Sequence, residues 1–337
     1  MKEIKKASEI NKISKNVPID ACANLIEKNA IKGLKEIYVG DLTDSIINTL
    51  KENGYYTNEV VNTGKLKGNV ISWESIIETV TEFEQGDNKF EDVDKDYVVS
   101  GTIPAGTVSI TGNSAKVNDI TAESAVLKFN VQKSFSLSNS KITGTYDKKT
   151  MGNTIMSVHA EDEVVIKDTI ITPEKAYNGI EIGLTTGLAK TITIDNVKFN
   201  GVFSNNAINI FGTQDNAVIT IRNCHFEQVS NPIRISNRTN TKCTINIVDC
   251  TVNKWESGEY AGLMLCQDYT TNGEDNLFGD GKITINITNL TTPDGKLVKA
   301  EPETICGTKD DNQIIYVYAN SKIVDYDKTK YPILNIA

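Results

Sequence analysis

The sequence predicts a mainly β protein, a parallel β-helix preceded by a small α/β domain, and two observations carry that prediction. One pattern recurs five times: apolar, any, apolar, any, Asn or Asp, any, any, apolar. Its copies begin at Phe135, Val164, Ile192, Ile219 and Ile245. Their corner residues are Asn139, Asp168, Asn196, Asn223 and Asp249, at a nearly constant interval that shortens by a single position at each step. Between the copies lies a second apolar strand, at 178–183, 206–212 and 231–236, repeated at 261–266 after an insertion. A period of roughly 20–50 residues is the signature of a solenoid, in which single coils cannot bury their apolar face and stacked coils can. An antiparallel sandwich shares the composition but has no reason to repeat an Asx corner at a steady interval.

Residues 1–75 follow different rules. Ile4, Ile10 and Ile13 fall on one helical face, and Pro18 opens a second helix through Ala21, Leu25, Ile26 and Ala30 to Gly33. Residues 36–40 read as a strand. Thr43 is an N-cap for a helix carrying Ile46, Ile47 and Leu50, and Asn53-Gly54 closes it. Residues 55–61 and 69–73 read as two further strands, giving a domain of ααβαββ order. Residues 76–96 read as a connector, a short helix (Ile76, Ile77, Val80, Phe83) running into an acidic stretch.

The solenoid is expected over 97–320, with entry coils over 98–112 and a further strand over 125–131. Within each coil, side chains two apart share a face, so the apolar pair points inward. The Asx is expected at the next inward step, where it turns the corner and where stacked copies would bond one another as a ladder. After Asp249 the next Asx is Asn289, so an insertion over 253–281 projects from one side. Residues 321–337 read as a tail or cap over an open end that would otherwise expose unpaired strand edges.

Composition excludes several function classes. A net charge of −9 argues against a nucleic-acid surface, which needs a basic face. No apolar run approaches the roughly 20 residues of a membrane span, and the first residues lack a signal-peptide core, so synthesis in a cytoplasm is expected. The six cysteines show no zinc-type spacing. Cys224 and Cys250 directly follow corner Asx residues and read as small buried filler in successive coils.

The Asx-cornered coils resemble the right-handed, single-stranded, pectin-lyase-like β-helices of phage tailspikes, head fibres and pectate-lyase-like proteins. Residues 33–39, 50–55 and 71–73 resemble small α/β domains of tailed-phage virion proteins, including those of crAss-like phages. The resemblance implies a structural virion component, a head-fibre, decoration or tail-associated protein. Residues 1–75 would fasten it to capsid or tail proteins, and it would form a homotrimer.

Two other functions fit the same fold. A depolymerase or lyase acting on acidic surface polysaccharide would use Arg222, Arg234 and Arg238, the only arginines, as a cluster on one face, with outward acids such as Glu181, Asp195 and Glu227. Solvated strand decoration paired with nearby acids is the simpler account of them. A glycan-binding adhesin would use Trp255, Tyr260 and Tyr269 of the insertion, residues that packing onto the solenoid also accounts for. Asp268, Glu274, Asp275 and Asp280 invite calcium, but the turn chemistry of that loop explains them. His225 sits beside Cys224, and neighbours on a strand point to opposite faces, so they form no nucleophile pair. No cofactor motif and no catalytic constellation is evident.

Overall fold

The computed structural model describes residues 36–39, 43–52, 55–61, 67–72, 76–146, 154–183, 188–236, 242–256, 261–266, 283–293, 295, 316–319, 322–323 and 333–336. The two helices expected before residue 34 lie outside them. The chain divides into two compact units, Met1–Ile77 and Glu78–Ala337.

In the first unit, Glu36–Val39 and Tyr56–Val61 pair antiparallel with the two edges of Lys67–Ser72. The one described helix is Asp44–Glu52. Thr43 caps it: its carbonyl accepts from the Ile47 amide at 3.0 Å, and its hydroxyl lies 3.4 Å from the Ile46 amide. Ile46 and Leu50 fall four apart on one face and are buried.

The second unit is built almost wholly from parallel strand pairs. Three ladders run through it, each joining a segment to its equivalent one repeat later. The first ladder places Tyr97, Ala115, Phe135, Val164, Ile192, Ile219, Ile245, Ile285 and Leu334 in register. The second runs Val108, Leu127, Met156, Ile180, Ile208 and Ile233. The third runs Ile103, Ala122, Ile142, Ile171, Phe199, Phe226 and Val252. This connectivity is compatible with a β-helix. Alternate residues are buried along strands such as Ala125–Val131 and Cys243–Val248, because successive side chains leave opposite faces. Rows of Ile, Val, Leu and Phe from all three ladders merge into one core, where the Phe199 and Phe226 rings stack with centroids 5.0 Å apart.

The corner residues take the left-handed conformation as anticipated: φ is 49° at Asn139 and Asp168, 52° at Asn196 and Asp249, 54° at Asn223 and 53° at Asn289. Their side chains do not point inward. All six are exposed, and the next residue, such as Ser140, Thr169, Val197, Cys224 or Cys250, is buried instead. A left-handed residue breaks the two-residue alternation, so the Asx lands on the convex side of the bend. Its amide still reaches a neighbouring rung. Asn196 Nδ2 donates to Asp168 Oδ1 at 2.8 Å, Asn289 Nδ2 to Asp249 Oδ1 at 2.9 Å, and Asn139 Nδ2 to Asn118 Oδ1 at 3.1 Å.

Two further expectations are corrected. Residues 76–83 contain no helix: Ile76–Val80 and Gly86–Glu91 are strands, and both join the parallel system through Lys95–Ile103 and Gly106–Gly112. The β-branched run Ile76-Ile77-Glu78-Thr79-Val80 favours a strand. The repeats therefore begin within the expected connector, before residue 97. Their first steps are short: the stretch of chain from Tyr97 to its partner Ala115 is well below that from Val164 to its partner Ile192, which leaves no room for the longer corners seen later. At the other end Ile333–Ile336 extends the first ladder beside Ile283–Thr288.

Candidate functional site

Polar side chains on the outside of the rungs from Thr191 to Trp255 form two groups. The first lies along the first ladder. Arg222 donates through Nε at 2.9 Å and Nη2 at 2.7 Å to Asp195 Oδ2, and Asn223 Nδ2 donates to Asp195 Oδ1 at 2.8 Å. Asp195 and Arg222 are register partners, so the pair follows from the ladder itself. Partial burial raises the cost of ionising Asp195 more than any other single influence. Arg222, Asn223 and Lys167 together outweigh it, and the carboxyl sits below its ordinary range.

The second group lies on the third ladder. His225 and Glu227 are two apart on one strand and share its outer face. His225 Nε2 is 3.2 Å from Glu227 Oε2, and Asn253 from the next rung donates through Nδ2 to the same Oε2 at 2.9 Å. His225 and Asn253 hold the Glu227 carboxyl below its usual range. Beyond them Gln228 Nε2 donates to Glu256, and Lys254 Nζ donates to Gln228 Oε1 at 3.4 Å.

Inside the unit, a buried polar line replaces the expected inward corner ladder. Asn178, Asn206 and Asn231 stand two residues before the second-ladder residues Ile180, Ile208 and Ile233 and are all buried. Asn206 Nδ2 donates to Asn178 Oδ1 at 3.1 Å, Asn178 Nδ2 to Glu181 Oε1 at 3.0 Å, and Asn231 Nδ2 to the Gly262 carbonyl at 2.9 Å. Asn at the same place in three successive strands was the available sequence signal. Glu181, expected to be an outward surface acid, is buried, in register with Asn209.

The arginines do not gather on one face. Arg222 belongs to the first ladder, whereas Arg234 belongs to the second, between Asn209 and Met264; Arg238 lies outside the described residues. Trp255 is buried in register with Val229, which removes it from any glycan-stacking surface. Tyr260 and Tyr269 lie outside the described residues, as do the insertion acids. Cys224 and Cys250 are free thiols, both buried. Each donates to a carbonyl two positions back, Arg222 and Val248, at 3.3 Å. Contact with Cys250 and burial push the Cys224 thiol up, and burial pushes Cys243 to about 11, against a hydrogen bond with Thr213. The raised Cys224 and Cys243 thiols are poor nucleophiles. Among the described residues, no three His, Cys, Asp or Glu side chains cluster as metal ligands, and no helix is long and apolar enough to cross a membrane.

No family model, curated protein or solved structure matches the chain.

Proposed function

We propose that the chain is a structural component of a tailed-phage particle, a right-handed single-stranded β-helix docked to capsid or tail through residues 1–75. The observation that carries this reading is the first-ladder column from Tyr97 to Leu334, in a chain whose segment Met1–Ile77 forms a separate unit. Nine rungs at about 4.8 Å each give a stack of roughly 40 Å along that column. A continuous stack that satisfies its own backbone suits a rigid projection, and a separate small unit suits an anchor. The residues at 33–39, 50–55 and 71–73 that resemble virion domains support the same assignment.

The test uses particles. Antibodies to the full-length chain should label purified phage, and mass spectrometry should find the chain in a fixed ratio to the major capsid protein. Its absence from purified particles overturns the proposal. A phage encoding only 76–337 should yield particles that lack the chain while the soluble fragment accumulates; undiminished incorporation removes the anchoring role.

The lyase alternative has less support, because Arg222 is taken up by Asp195 and Arg234 stands in another ladder. Release of unsaturated uronates from host capsular polysaccharide would reinstate it.

A further inference from the structure

We propose that His225, Glu227 and Asn253 form a surface site for a divalent transition-metal ion that ties two successive rungs together. On a strand, residues two apart project from the same face, so the sequence His225-Phe226-Glu227 sends an imidazole and a carboxylate outward around the buried Phe226. Parallel pairing then sets the next rung alongside, with His225 opposite Thr251 and Gln228 opposite Lys254, and Asn253 falls beside both groups.

The result is a closed triangle of polar atoms. His225 Nε2 and Glu227 Oε2 are 3.2 Å apart, Asn253 Nδ2 and Glu227 Oε2 are 2.9 Å apart, and Asn253 Nδ2 and His225 Nε2 are 3.4 Å apart. Metal–ligand distances of about 2.1 Å place adjacent ligands roughly 3.0 Å apart in an octahedron and roughly 3.4 Å apart in a tetrahedron. The triangle therefore already has the size of one face of a coordination shell. A half-turn of the Asn253 amide exchanges Nδ2 for Oδ1 at the same vertex, the two orientations being isosteric. The amide then offers an acceptor, and the donor set becomes one imidazole nitrogen and two oxygens. Imidazole suits zinc, nickel and copper rather than magnesium or calcium.

The surroundings fit a surface ion that keeps some of its water. The His225 and Glu227 side chains are 33% and 53% exposed, which leaves the outer coordination positions to solvent. With no metal, Asn253 donates to Glu227 and the cluster is satisfied by hydrogen bonds, so it neither collapses nor needs refolding to accept an ion. The adverse charge nearby is Lys198, the exposed register partner of His225 one rung earlier. Lys254 is turned toward Gln228 instead.

The experiment is calorimetric titration of the EDTA-stripped full-length chain with zinc chloride, with calcium chloride as control and thermal melting in parallel. One equivalent of zinc should bind and raise the melting temperature, and calcium should do neither. His225→Ala should weaken zinc binding at least tenfold and abolish the thermal shift, and Glu227→Gln should weaken binding in the same direction. Asn253→Asp should tighten binding by supplying a second carboxylate, a gain that a purely hydrogen-bonding role would not produce. All three side chains are outward, so each variant should fold, which circular dichroism checks. Cobalt in place of zinc distinguishes this site from the thiols: it should give no thiolate charge-transfer band. Absence of zinc binding, zinc binding unchanged in His225→Ala, or a thiolate band each overturns the assignment.

Discussion

Asn223 occupies a backbone position that most side chains resist. Its φ of 54° brings a β-carbon against the following carbonyl, which costs about 1–2 kcal/mol in residues other than Gly, Asn and Asp. Asn223→Ala should therefore lower unfolding free energy by about that amount in chemical denaturation. Asn223→Gly, which relieves the backbone but also loses the bond to Asp195, should cost less; equal losses would place the effect in the side chain instead. Asp195 supplies a second test at this scale. Its carboxyl is held below the unfolded value, so its stabilising contribution is present above about pH 4 and is lost as pH falls through the lower folded value. Arg222→Gln should narrow that difference, and acid titrations of the two proteins should converge below about pH 4. The corner identities were readable from the sequence, because Asx and Gly tolerate the conformation better than other residues. The direction of the side chain was not, because strand alternation fails at the very residue that makes the turn.

At the scale of the strands, stability comes from side chains meeting their equivalents one rung away. Phe199 and Phe226 are fully buried and stacked at an interplanar angle of 9°. Aromatic pairs of this kind couple by about 0.5–1.5 kcal/mol beyond area burial. A double-mutant cycle with Phe199→Leu and Phe226→Leu should recover a coupling in that range; additive losses would show that the rungs pack independently. The repeats from Phe135 to Val252 could be found in advance because each carries apolar residues, a corner Asx and a further apolar residue at fixed offsets. The earlier rungs were harder to find. The Ala115 rung carries the same pattern, with Asp119 at its corner (φ 56°), but the step from Asp119 to Asn139 is much shorter than the later interval, and the Tyr97 rung in the same column bends at Gly101 and shows no Asx. At Ile76–Val80 the apolar residues also satisfied a helical spacing, and only pairing with the next strands decides between the two periods. In the site, the His225–Glu227 spacing was visible in the sequence. The arrival of Asn253 depended on a register that no local pattern specifies.

For the whole molecule, stacked repeats make stability approximately a sum of rung and rung–rung terms. The rungs around Ile192–Phe199 and Ile219–Phe226 have partners on both sides in every ladder they enter. Their amides should exchange most slowly with deuterium, and protection should fall toward Gly86–Glu91 at one end and Ile283–Thr288 at the other. Uniform protection across the stack would point to a single cooperative unit.

The spacing between ladder partners carries one more consequence. Val164 pairs with Ile192, Ile219 with Ile245, and Ile245 with Ile285. The last of these steps spends far more chain than the other two, yet the strand register is kept throughout. The described strands on either side of the additional chain keep the same register. Foreign peptides spliced between Cys266 and Ile283, within that longer step, would accordingly be shown at one chosen height, like a bracket fixed to a numbered rail. The ladder thus offers itself as a calibrated display scaffold.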